Sequence, residues 1–433
     1  MKNNTNKVNI INSRNFTSPI RGLPLPPVLP AEVDKTKWYR KPSWHQLIII
    51  GNGFDLECGL PSRYGDFFES RWQVISDIEE ALRGEADWKA PCNTGVSVWE
   101  LILRNKCKEY WYSIESAVRE WVVPHDDANG NSLSHAEAIL AAVNPDDEKR
   151  NRPSDELARD EAVALVAEYI KKTYESSKLS KWNLSDVYAF LLSELHSLEH
   201  EFSTYLQKQV EQHTDYASLA VRLTNDLLND ELPKDREKYD LKESILSFNY
   251  TKPFEYIERP NVINLSNVHG SLEKNEIVFG IDGSDCMGLD GVLEFTKTYR
   301  LMALGCPDMS EVVHHASFVN GASSTNLIKF YGHSLADPDY SYFQAIFDTV
   351  GLYDSNTRLI FYFKPYKRGD GSSCTEEEAR DSVMKNVFKL LATYGKTMGN
   401  EDHGKNLIHK LLLEGRLSVK PLMHEADIYI TLR

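Results

Sequence analysis

The sequence has no Cys-x-x-Cys pair. Its six cysteines, at positions 58, 92, 107, 286, 306 and 374, are scattered along 433 residues, which excludes the paired spacing of a structural zinc site and the density of a disulfide framework. Reduced thiols, no bound metal and a cytoplasmic setting are the resulting expectations. There is also no apolar run of membrane-spanning length, and Met1-Lys2-Asn3-Asn4-Thr5-Asn6-Lys7 leads into no signal-peptide core, so no membrane association is expected. Positive charge is the scarcer sign: 49 Lys and Arg against 64 Asp and Glu leave a formal net charge of -15. Such a balance repels polyanions on average and disfavours nucleic acid as a partner. No internal repeat is visible.

What is present describes a chain long enough for more than one substructure, with 41% hydrophobic and 26% charged residues. Residues 1–42 carry the cluster Leu23-Pro24-Leu25-Pro26-Pro27-Val28-Leu29-Pro30. Proline lacks a backbone donor and favours extended geometry, so this segment reads as a tail or docking arm. From 64 to 239 the apolar residues recur every three or four positions, as at Asp155–Tyr174 and Ser185–Val210, which predicts a helical insertion. The charged, proline-bounded run from Asn144 to Pro153 reads as a solvated connector inside it. The aromatic stretch Trp99–Trp121, with Tyr110, Trp111 and Tyr112, reads as helix core or as an interface.

Strands are expected at Leu47–Ile50, Glu243–Phe248, Val262–Asn267, Ile277–Phe279, Leu327–Tyr331 and Leu359–Lys364, each short, apolar and bounded by turn residues. Long crossovers between them favour a mostly parallel, helix-covered α/β sheet built from 43–63 and 240–433. Residues 376–414 read as helices, and Asp427–Leu432 as a final edge strand.

Four clusters can carry chemistry. The first is Leu47-Ile48-Ile49-Ile50-Gly51-Asn52-Gly53-Phe54-Asp55, continuing into Gly59-Leu60-Pro61-Ser62-Arg63-Tyr64. A buried strand runs into glycines that allow a sharp turn and close approach to a phosphate or ribose, although the spacing is not Gly-x-Gly-x-x-Gly. A plain strand-to-helix corner explains the same residues. Ser247-Phe248-Asn249-Tyr250-Thr251 and Asn267-Val268-His269-Gly270-Ser271 each follow a strand, where open α/β sheets bind ligands. Turn formation and a structural histidine are the plainer readings. The fourth is Phe330-Tyr331-Gly332-His333-Ser334-Leu335-Ala336-Asp337-Pro338-Asp339, a strand running into a glycine turn, in which Ser334 and Asp337 can cap a helix starting near Tyr340.

Taken together, these clusters resemble, in type and order, the motifs of AbiH-type bacteriophage abortive-infection proteins, which in turn resemble sirtuin-like nucleotide-binding folds. The resemblance spans residues 47 to 340 and implies a Rossmann-like, mostly parallel sheet with a large helical insertion. It also implies NAD as substrate or ligand. Gly51, Asn52, Gly53, Phe54 and Asp55 would then line the nucleotide, with Gly332, His333, Ser334 and Asp337 on the adenosine-side ribose or phosphate. Asn249 and His269 would flank the nicotinamide ribose as the catalytic pair. The implied activity is hydrolysis of the nicotinamide–ribose bond during phage defence, with a phage-derived trigger and a homo-oligomer as implied partners. The four-cysteine zinc module of protein deacetylases has no counterpart here.

Two other readings stay open. Gly332-His333-Ser334-Leu335-Ala336 imitates a nucleophile elbow, which would make Ser334 the nucleophile of an esterase served by His403, His409 or His424. Pro338 sits awkwardly in the helix such an elbow opens. Alternatively, the sheet binds a nucleotide as a non-catalytic sensing module and the helical insertion contacts a partner.

Overall fold

The run Trp44-His45-Gln46-Leu47-Ile48-Ile49-Ile50 becomes the central strand because both faces of its alternating pleat find apolar cover. Leu47 and Ile49 point into one core with Phe343, Phe347, Leu390 and Leu407, while Ile48 and Ile50 point into another with Ala220, Leu223 and Leu227. The computed structural model describes residues 41–422 apart from 88–94, 107–113, 127–131, 145–159, 253–256, 258, 284–285, 287, 306–308, 310–311, 315–324, 367 and 369–371.

Six strands form one sheet: β1 (Ser43–Ile50), β2 (Asp240–Ser247), β3 (Val262–Asn267), β4 (Thr325–Tyr331), β5 (Arg358–Phe363) and β6 (Leu417–Pro421). All neighbours run parallel, in the order β3-β2-β1-β4-β5-β6. That is the strand order of the doubly wound Rossmann fold, whose ligands bind beyond the carboxyl ends of the strands, where the order reverses between β1 and β4. The helix Tyr216–Asn229 covers one face, and Tyr340–Thr349, Glu376–Thr397 and Glu401–Leu413 cover the other.

The expected helical insertion is present between β1 and β2, with helices including Tyr64–Arg83, Val98–Lys106, Ile114–Val122, His135–Val143, Glu161–Thr173 and Leu184–Gln212. The last of these starts where Asn183 accepts the amides of Ser185 and Asp186, relieving orphan donors of the first turn. These helices bury Trp99 and Trp121 completely, so those two aromatics serve the core. Tyr110, Trp111 and Tyr112 lie outside the described residues, as do residues 1–40, the run 145–153 and the expected strand at 427–432. The helical core continues into Tyr250, Ile277, Phe279 and Phe295. From Pro42 on, the described residues form one compact unit.

Two strand expectations change. Ile277–Phe279 does not join the sheet; Glu276–Ile277 pairs antiparallel with Gly270–Ser271 in a separate ribbon. The sixth strand of the sheet is instead Leu417–Pro421 beside β5. Its half-polar Leu-Ser-Val-Lys-Pro sequence suits an edge, where one side of the strand lacks a partner and proline is tolerated.

Candidate functional site

The turns after β1 and β4 meet face to face because the two strands are neighbours. The Gly51 amide donates to the Tyr331 carbonyl at 3.1 Å, and the Gly53 amide to the Gly332 carbonyl at 2.8 Å. A Cβ on Gly53 would lie 2.6 Å from Gly332 Cα, and one on Gly332 would lie 2.4 Å from the Phe54 nitrogen. Gly332 also has φ +68°. The glycines of both motifs therefore let two backbones touch, and they do not form an open cradle. Gly332→Ala, strained in dihedral and in space, is expected to cost about 2–4 kcal/mol in a urea unfolding titration.

The short helix Asn52–Glu57 that follows sends Asp55 inward. Only 2% exposed, Asp55 accepts hydrogen bonds from Tyr216 Oη at 2.7 Å and Thr251 Oγ1 at 2.8 Å. Burial raises its pKa to about 6, against the opposing effect of Tyr216, Thr251 and Asn249. Asp55 thus ties the β1 turn to the β2 turn. Asn267 at the end of β3 secures the same turn, donating from Nδ2 to the carbonyls of Asn249 and Thr251 at 2.7 and 2.8 Å.

Asn249 stands against Asp55 closely enough to influence its ionisation. Even so, neither polar atom of its carboxamide, nor Oδ1 of Asn267, has a hydrogen-bond partner of good geometry, although all are buried. A buried amide left unpaired costs about 1–3 kcal/mol. Native structures retain few such groups, and the three atoms of Asn249 and Asn267 lie at the carboxyl ends of β2 and β3, where the fold binds ligands.

Beside them lies a second buried cluster. His269, 4% exposed, places Nε2 at 3.3 Å from Asp339 Oδ1. His333 places Nε2 at 3.4 Å from Asp339 Oδ2. Lys297 Nζ donates to Asp339 Oδ1 at 2.8 Å and stands 3.7 Å from Glu115 of the helical region. The Phe248 ring packs edge-on against both imidazoles, with centroids at 4.4 and 5.5 Å. Burial and the Lys297 charge hold the His269 pKa down to about 4, so the ring is neutral at pH 7. Although burial opposes ionisation of Asp339, Lys297 and the two histidines hold its carboxyl well below the ordinary range.

The shift of His269 carries a signed consequence. Its folded pKa, about 4, lies below the 6.5 of an unfolded histidine. Its contribution to stability is therefore complete above pH 6.5 and is lost as pH falls toward 4. Relative to His269→Gln, the wild type should lose up to about 1.4 kcal/mol per pH unit across that window, measured by urea unfolding at stepped pH. Using the difference between variants cancels Asp55, whose raised pKa contributes with the opposite sign.

Asn249, His269, the Gly51–Asp55 turn and the Gly332–His333 turn thus meet at one end of the sheet. Within the first turn Phe54 is core, and the exposed Asn52 accepts from Ser62. Ser334 and Asp337 do not cap the Tyr340–Thr349 helix, whose N-cap position is Asp339. Ser334 faces solvent, and Asp337 opens a 3-10 turn and pairs with Lys389. The strand-serine-helix turn of an esterase is not formed, because five residues separate Ser334 from that helix. His403 stacks on Tyr353 at 4.1 Å, and His424 lies outside the described residues.

Sequence reasoning passed over Asp339, Lys297, Tyr216, Thr251 and Asn267 as site residues. The doublet of Asp337 and Asp339 around Pro338 was the available signal for the first. Nothing local distinguished Lys297, which reaches Asp339 across 42 positions. Among the described residues no His, Cys, Asp and Glu group could hold a metal ion, and no helix is long and apolar enough to cross a membrane.

No curated protein matches the chain. The bacteriophage abortive infection AbiH family does, over residues 47–363, a span that runs from the central strand through the helical insertion to the end of β5. With that match covering most of its length, the chain belongs to the bacteriophage abortive infection AbiH family, which supports a role in abortive infection.

Proposed function

We propose that this protein acts in abortive infection by hydrolysing the nicotinamide–ribose bond of NAD or a related nucleotide. The observation that carries the reading is the buried Asn249 carboxamide, without a hydrogen bond of good geometry at the end of one strand, with the neutral imidazole of His269 in the turn after the neighbouring strand. Nicotinamide leaves as a neutral base, so the reaction needs little acid catalysis. What it needs is polar groups aimed at an oxocarbenium-like ribose and at the attacking water. Asn249 would orient that water with the carbonyl and amide it leaves unused. His269 would accept a proton from the water or from a ribose hydroxyl. Its low pKa keeps it unprotonated across the physiological range, at the cost of weak basicity. The nucleotide is expected over the ends of β1, β2 and β3, because the Gly51–Gly53 turn already fills the gap next to Gly332.

The test is direct. Purified protein is incubated with NAD, with and without a phage lysate as a source of trigger, and free nicotinamide is followed. Release that depends on Asn249 and His269 supports the reading. Stoichiometric nucleotide binding, with no release under any lysate, would instead establish a sensing module.

A further inference from the structure

Asp339 sits where it can orient both imidazoles, yet the two are not equivalent. His333 Nδ1 accepts the Leu335 amide at 2.9 Å. Its Nε2 therefore carries the proton and faces Asp339, which leaves this ring no free lone pair. The turn behind it is held in place by an unusual backbone, since Leu335, a buried non-glycine residue, has φ 57°. His269 also faces Asp339 through Nε2, 3.3 Å from Oδ1, a contact that falls short of good hydrogen-bond geometry, and no hydrogen bond to its Nδ1 is formed among the described residues. We infer that Asp339 is a positioning residue, which receives the Nε2 proton of His269 and so presents the Nδ1 lone pair as the proton-accepting atom. We infer further that Lys297 keeps Asp339 ionised and, through Glu115, fastens this arrangement to the helical region. This deepens the proposed function and rests on the reading of His269 as the acceptor.

The roles divide in an ordered way. The carboxylate neither touches the reacting atoms nor gains a proton; it selects a tautomer and stabilises the imidazolium when His269 takes its proton. Lys297 faces Asp339, Glu115 and Asp282, so its single charge is balanced from the sheet end, the helical region and the β3–β4 connection together. Movement of the helix Ile114–Val122 would carry Glu115 away from Lys297 and loosen the cluster. That gives the helical region a physical route to the site.

The decisive measurement is the imidazole ¹⁵N spectrum, with the His269 signals identified by their loss in His269→Gln. The wild type is expected to show His269 protonated at Nε2 and bare at Nδ1, and Asp339→Asn to show a mixture of tautomers. Where nicotinamide release is measurable, Asp339→Asn should lower kcat at least about tenfold with KM changed no more than about twofold, as expected for a group acting through a base. Asp339→Asn strands the Lys297 cation; if that variant fails to fold, Asp339→Asn with Lys297→Met is read in the same way. A wild-type His269 protonated at Nδ1, or a tautomer unmoved by loss of Asp339, overturns the inference. Tautomer behaviour as expected, in a protein that releases no nicotinamide under any trigger, leaves Asp339 as the positioning residue and removes NAD hydrolysis instead.

Discussion

Asn249→Ala is expected to abolish nicotinamide release, by about 10²–10³-fold, while leaving the protein as stable as the wild type or more so. The first half follows from the role of the carboxamide: deleting one preorganised polar group aimed at the reacting centre costs about that factor. The second half follows from its present state. Both polar atoms are buried without a hydrogen bond of good geometry, although the carboxamide stands against Asp55, so the folded protein bears much of a desolvation cost of about 1–3 kcal/mol that alanine does not incur. Removing an amide that held the fold together would do the opposite. Asn267 provides the contrast: its Nδ2 bonds two carbonyls of the β2 turn, so Asn267→Ala should lower stability. Thermal unfolding and nicotinamide release measured on both variants separate the roles. A large loss of stability in Asn249→Ala would show that its carboxamide is paired in solution and remove the main support for a ligand there.

Glu199→Ala is expected to be the most destabilising of the substitutions considered, at about 3–5 kcal/mol. Glu199 lies on the helix Leu184–Gln212 and is 5% exposed. Its two oxygens engage both terminal nitrogens of Arg300, one contact at 2.7 Å, and Oε1 also accepts the Phe279 amide at 2.6 Å. Arg300 in turn donates to the Phe279 carbonyl at 2.7 Å. Burial raises the Glu199 pKa against the pull of Arg300, so the pair's value lies in mutual satisfaction more than in net attraction. Deleting the acid leaves a guanidinium and a backbone amide buried without their acceptor, which is the costly event. Glu199→Gln, which keeps an acceptor for Phe279, should cost less. Glu199→Leu with Arg300→Met, which strands nothing charged, should recover part of the loss. Urea unfolding of these variants checks the order. Because Arg300 lies three residues from Lys297, the same contact braces the helix that carries the site lysine.

The parts of the fold that could be read from the chain were those with a local signature. Leu47–Ile50 reads as a strand because four apolar residues before a glycine can be buried on both faces. Ser185–Val210 reads as a helix because its apolar residues repeat at helical spacing. The type and order of the four clusters pointed to the AbiH family before any geometry was known. Leu417–Pro421 escaped because an edge strand is half exposed and needs no apolar run. Ile277–Phe279 looked like a sheet strand because its apolar residues are buried, but they serve the helical core instead.

The opening Gly51–Asp55 turn marks the same boundary. Its chemistry and its place after a strand were determined by the sequence alone, as were the acidic balance, the absence of paired cysteines and the alternation of helix and strand. Only the tertiary structure decided that its glycines meet Gly332, that Asp55 bonds Tyr216 and Thr251, and that Asp339 gathers His269, His333 and Lys297. The reason is physical. Backbone conformation and apolar periodicity are set within a few residues, whereas a buried charge is tolerated only where distant chain segments bring its partners. No window of sequence contains those partners.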